Sequence, residues 1–148
     1  MVPDRIEREI LIDAPQDVVW AVVTEPDHVS RWFSDAAEID LQPGGEVALT
    51  WDEHGTARAW VERVDPPRFF SFRWARPVGA EPRKGNSTLV QLTLSAEGER
   101  TRLRVVESGF PELEWSEEKK ARYAEENSQG WEHELGELQE YVATHVSG

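Results

Sequence analysis

Among 148 residues there is no cysteine and one methionine, and no apolar run is longer than Val18 to Val23. Without cysteine there is no disulfide, thiolate metal site or cysteine nucleophile, and no hint of an oxidising compartment. Without a run of about 20 apolar residues there is no membrane-spanning helix, so membrane insertion is not expected. The first residues, Met1-Val2-Pro3-Asp4-Arg5-Ile6-Glu7, lack the basic and then apolar regions of a signal peptide, and a cytoplasmic location is expected. On that reading Asn86-Ser87-Thr88 is a chance match to the glycosylation sequon. Basic residues are also in deficit: 16 Lys and Arg against 29 Asp and Glu leave a net charge of -13. Such a surface repels phosphate backbones and anionic leaflets, so nucleic acid is not an expected partner. Phosphate loops, HExxH, Gly-x-Ser-x-Gly and calcium loops are all missing. His133 and Glu137 lie four apart with no second histidine nearby, too few ligands for a metal, so neither metal nor cofactor is expected.

What is present reads as a globular chain: 39% hydrophobic and 30% charged residues, with seven tryptophans. The length suits one domain over 1–148, large enough to stand without a disulfide or metal. Ile6 to Ile12 alternates as a strand, Pro15 opens a short helix from Gln16 to Thr24, and a second follows over Asp27 to Phe33. Period-two segments then recur at Ala37 to Leu41, Glu46 to Trp51, Ala57 to Val64, Phe69 to Trp74, Thr88 to Ala96 and Thr101 to Ser108. Hairpin-length connections make these seven strands an antiparallel sheet. Ser116 to about His145 has no proline and predicts a long helix capped by Ser116.

At 100° per residue Trp131, Leu135, Leu138 and Val142 form one stripe on that helix, with Val146 at its edge. The same face continues backward through Ser128, Asn127, Ala124 and Lys120, which are small or polar. The change from bulk to smallness predicts a space beneath the N-terminal half. Facing it would be Val47, Leu49 and Trp51, then Phe70, Phe72 and Trp74, then Val90, Leu92 and Leu94. Glu107 shares parity with Leu103 and Val105 and is expected to point inward, paired with an arginine such as Arg73 or Arg104; the other reading is a cavity carboxylate with a raised pKa. Parity leaves Glu62 on either face, because Trp60, Glu62 and Val64 alternate with Ala59, Val61 and Arg63. Trp20 and Trp131 are assigned to the core, whereas Trp32, Trp51, Trp60 and Trp74 either pack it or line a pocket. His28 and His54 read as surface residues, His54 near a cavity mouth. Gly130 beside Trp131 suggests close approach of another element. The ten glutamates between Pro111 and Glu140 read as the solvated side of the helix.

Successive landmarks carry a family resemblance: Ile12-Asp13-Ala14-Pro15 through Trp20, Trp32-Phe33, Pro43-Gly44-Gly45, Val64-Asp65-Pro66-Pro67-Arg68 through Trp74, Glu107-Ser108-Gly109-Phe110 and Gly130-Trp131. In order and spacing they resemble the activator of heat-shock protein 90 ATPase homologue, C-terminal-domain-like family, within the START-like, birch-pollen-allergen-like (SRPBCC) superfamily. That resemblance implies an α+β helix-grip fold: a curved seven-strand antiparallel sheet, two short helices and a long C-terminal helix over a cavity. Similar folds carry lipids, hormones and polyketides. The expected function is therefore binding of an apolar or aromatic small molecule by Trp32, Trp51, Trp60, Phe72, Trp74, Glu107, Ala124, Asn127 and Trp131. A second reading is a cyclase, aromatase or hydratase in which Glu107 or Glu62 is the base. A third is a co-chaperone-like domain with a protein partner.

Overall fold

Residues 2–76 and 79–145 are described by a computed structural model. The strands are β1 (Arg5–Ile12), β2 (Ala36–Ile39), β3 (Glu46–Trp51), β4 (Gly55–Asp65), β5 (Phe69–Ala75), β6 (Ser87–Glu97) and β7 (Arg100–Ser108). Two short helices, α1 (Gln16–Thr24) and α2 (Pro26–Trp32), lie between β1 and β2. After β7 come a 3₁₀ turn (Phe110–Glu112) and α3 (Glu117–His145). All seven strands join one antiparallel sheet in the order β1-β7-β6-β5-β4-β3-β2. This is the helix-grip α+β fold.

The local chemistry explains the boundaries. Pro26 supplies the fixed φ that suits a first helical residue, and its missing N–H would have had no partner there. Ser116 Oγ accepts the Lys119 N–H at 3.2 Å and caps α3. Gly44 has φ +82°, and a Cβ on Gly45 would collide with the Asp40 carbonyl, so the turn before β3 needs both glycines.

Alternation gives the sheet a dry inner face. Val47, Leu49, Ala59, Val61, Phe70, Phe72, Val90, Leu92, Leu94, Leu103 and Val105 are buried there with Val19, Val22 and Val29 of the short helices. From α3, Trp131, Leu135, Leu138 and Val142 join this core, so the predicted stripe packs as expected over its C-terminal part. Val146 lies outside the described residues. Trp20 is half-buried and meets Phe70 edge-on at 6.4 Å between ring centres.

The register of β4 settles Glu62. A β-bulge between Val61 and Arg63 puts two residues on one outward step, so Val61 and Val64 face Phe72 and Phe70 across the pair. Glu62 and Arg63 both fall outside, and Glu62 pairs with Arg73 at 3.3 Å. A base on Glu62 facing the cavity is thereby corrected.

Beneath the first turns of α3 the expected space is filled by protein, and the pocket described below opens only further along that half of the helix. Phe110 and Leu113, from the 3₁₀ turn and the residue after it, form a second core with Tyr123 and Ala124. Lys120 Nζ donates to the Pro111 carbonyl at 2.7 Å. Small side chains on this stretch thus let a backbone segment approach the helix.

Candidate functional site

Parity along β7 points Glu107 inward with Leu103 and Val105, and its side chain has no solvent exposure. The expected arginine is absent from it: Arg104 faces outward to Glu7 at 2.9 Å, and Arg73 outward to Glu62. Both lie on the other face, so the ion-pair expectation is corrected. Four neutral donors hold the carboxylate instead. Thr88 Oγ1 (2.6 Å), Asn127 Nδ2 (2.9 Å) and Trp74 Nε1 (3.0 Å) donate to Oε2, and Trp131 Nε1 (2.9 Å) donates to Oε1. Burial pushes the Glu107 pKa up, while these hydrogen bonds pull against it. The outcome is a carboxylate that joins β5, β6 and α3 and sets the orientation of two indoles.

Those indoles belong to a cluster of rings. Phe33 lies 5.5 Å from Trp131 at 12° and 6.2 Å from Trp74 at 16°, and Trp74 lies 5.7 Å from Trp131 at 28°. Trp51 meets Phe33 edge-on at 5.4 Å and donates its N–H to the Phe33 carbonyl at 2.9 Å. All three indole N–H groups are therefore used within the protein.

Against this cluster lies a pocket of about 280 Å³, near the lower end of the usual range for small-molecule sites. From the sheet side come Phe33, Trp51, His54, Trp74 and Arg76, and from α3 come Tyr123, Glu126, Asn127, Gly130, Trp131 and Glu134. The α3 residues recur at helical spacing and form one face, rotated from the packing stripe. No Cβ contact would arise at Gly130 within 4 Å, so its missing side chain leaves room in the pocket and brings no element closer, contrary to expectation. The Arg76 guanidinium lies over the Tyr123 ring, 5.6 Å from its centre. Glu134 has an Oε2 that is buried and has no hydrogen-bond partner among the described residues. Burial, with the nearby Glu137 charge, pushes its pKa up to about 7.

Comparison with known proteins agrees with this architecture. Residues 13–143 match the family described as Activator of Hsp90 ATPase homolog 1-like protein. The chain belongs to this family. CalU16 from Micromonospora echinospora is 30% identical over 96% of this chain and 78% of its own, with a TM-score of 0.71. DynU16, from the dynemicin biosynthetic locus, is 24% identical with a TM-score of 0.76; the match covers 96% of this chain but only 48% of that one, so this chain spans about half its length. The Aha1 dimer of Colwellia psychrerythraea shares the fold at a TM-score of 0.77, with 17% identity over 97% of this chain and 98% of that one. No curated protein matches.

Within this family member, Trp51, Trp74, Asn127 and Trp131 meet at the pocket, and Glu107 stands behind its wall. The other expected residues lie elsewhere. Trp60 is on the outer face opposite Arg73, since it takes the parity opposite to Ala59 and Val61. Trp32 is buried with its N–H on the Val22 carbonyl at 2.9 Å, and with Phe72 it lines a separate apolar crevice of about 30 Å³. Ala124 belongs to the second core. His54 is exposed at the pocket. His28 is half-buried and shares a 2.7 Å hydrogen bond with the Tyr141 hydroxyl, tying α2 to α3 rather than lying free on the surface. Phe33, Arg76, Tyr123, Glu126 and Glu134 were not expected at the site. For the last three, the signal was the helical spacing that runs through Gly130.

Proposed function

We propose that this protein binds a small, flat aromatic molecule in the pocket between α3 and the sheet. One observation carries the reading. Five aromatic residues converge on one pocket, and the three indole N–H groups among them are turned to protein acceptors, so the indoles offer ring surface rather than donors. Glu107 serves this site by positioning Trp74 and Trp131. With four donors already on its two oxygens, it is poorly placed to take a substrate proton, which favours binding over catalysis by this carboxylate. The place of DynU16 in a biosynthetic locus is compatible with small-molecule handling.

The test is quenching of tryptophan fluorescence by a neutral naphthalene probe, because three tryptophans line the pocket. Gly130→Leu, whose Cβ meets nothing within 4 Å, projects a side chain into the pocket and should weaken binding at least about tenfold, with the far-UV circular dichroism unchanged. Equal affinity of the folded variant would remove the pocket from the binding site.

A further inference from the structure

The pocket is unevenly charged along its length. Its groups that ionise are His54 in the β3–β4 turn, Arg76 after β5, and Tyr123, Glu126 and Glu134 on α3. Glu107 lies behind the aromatic wall, and Glu137 is one helical turn beyond Glu134, paired with His133 at 3.7 Å. Arg76 is the one arginine or lysine among the described lining residues, and it sits at the Tyr123 end. Glu134 is eleven residues further along α3, about 16 Å at the helical rise. That end combines a carboxylate with Trp131, one turn back on the same helix.

Two features there are unmatched by any need of the fold. The Glu134 Oε2 is buried without a donor among the described residues, and such an acceptor is costly unless something pairs with it. The neighbouring rings have spent their N–H edges elsewhere, so the electron-rich faces and not the donors are left for a ligand. A carboxylate beside aromatic faces attracts a positive charge twice over, by Coulomb attraction and by the ring quadrupoles.

We propose that Glu134, with the rings of Phe33, Trp51 and Trp131, forms a subsite for an organic cation: a protonated amine or quaternary ammonium carried on a flat apolar ligand. This rests on the pocket reading above and narrows its ligand class. A cation beside Glu134 favours the ionised carboxylate, so binding releases a proton where that group is still protonated. With its pKa pushed up to about 7, the site is mostly neutral at pH 6 and mostly charged at pH 8. Affinity for a fixed cation therefore rises over that interval.

The experiment compares two probes by tryptophan quenching at pH 6 and pH 8: a naphthalene bearing a trimethylammonium group, and its neutral tert-butyl isostere. Wild type should bind the cation at least about tenfold more tightly than the isostere at pH 8, and that preference should fall by about tenfold at pH 6. In Glu134→Gln, with unchanged circular dichroism, the two probes should bind alike and the pH effect should shrink. Equal binding of both probes by wild type, or a preference that survives in Glu134→Gln, would overturn the cation subsite. If the isostere binds and the cation has no advantage, the aromatic pocket stands and only the subsite falls. If neither probe quenches, both fall.

Discussion

Two rows of side chains on α3 face the same sheet and do different work. One row, Trp131, Leu135, Leu138 and Val142, is buried and belongs to the core. The other, Tyr123, Glu126, Asn127, Gly130 and Glu134, borders the pocket. The first is a row chosen for volume, as close packing requires. The second contains two acids, an amide and a glycine, a composition that would leave voids and unpaired polar groups if it had to pack. Glu107 lies between the two, because it accepts from Trp131 in the packing row and from Asn127 in the pocket row. Core packing and the pocket wall are thus separated by a rotation about one helix axis and coupled through one carboxylate.

The largest effect should come from the packing row. Leu138 has no solvent exposure, so Leu138→Ala should lower stability in urea unfolding by about 2 to 5 kcal/mol through lost transfer energy and the cavity left behind. A loss below about 0.5 kcal/mol would place Leu138 outside the core. The coupling residue should come next. Glu107→Gln sets an NH2 group against either the Trp131 N–H or the three donors at Oε2, and one side of the network loses its acceptor. The expected cost is about 1 to 3 kcal/mol, partly offset by no longer burying a charge. The near-UV circular dichroism should weaken with it as two indoles lose their fixed orientation. Wild-type stability and an unchanged near-UV spectrum in Glu107→Gln would show that the two rows are independent.

Strand parity and helix period made the sheet, the long helix and the packing row legible, because both periods reflect which side of an element meets the core. They also turned Glu107 inward. They failed where a local irregularity changed the parity: the bulge at Glu62 and Arg63 gives β4 apolar residues in both phases, and it hid the outward placement of Trp60. Small residues near the start of α3 were legible as an asymmetry but not as its cause. A gap and a closely packed 3₁₀ turn leave the same mark on a helix: Ala124 packs against the turn, whereas Asn127 borders the pocket. The neutral donors on Glu107 come from β5, β6 and α3, and only the pairing of Trp74 with Thr88 and of Val90 with Glu107 brings the strand donors to it.

The smallest effect tests the pocket row by its pH dependence. Glu134 has a folded-state pKa of about 7 against 4.5 for the unperturbed group, so the folded protein holds this proton more tightly than the unfolded chain does. Protonation therefore favours folding, and the contribution is fully present below pH 4.5 and lost as pH rises to about 7. Removing the titrating group removes that loss. Glu134→Gln should equal wild type in stability near pH 4.5 and exceed it at pH 8. Because the side chain is only half-buried, water screens much of the penalty, and the gain at pH 8 should be about 1 kcal/mol or less. The check is the difference between urea midpoints of the two proteins at the two pH values. Glu107, also raised, remains in both and cancels. A gain that is the same at both pH values would mean that Glu134 is destabilising by shape and not by charge. A variant less stable at pH 8 would mean that its carboxylate has a donor in solution. Either result would make the pocket row a packing row after all, and the contrast along α3 would have to be drawn elsewhere.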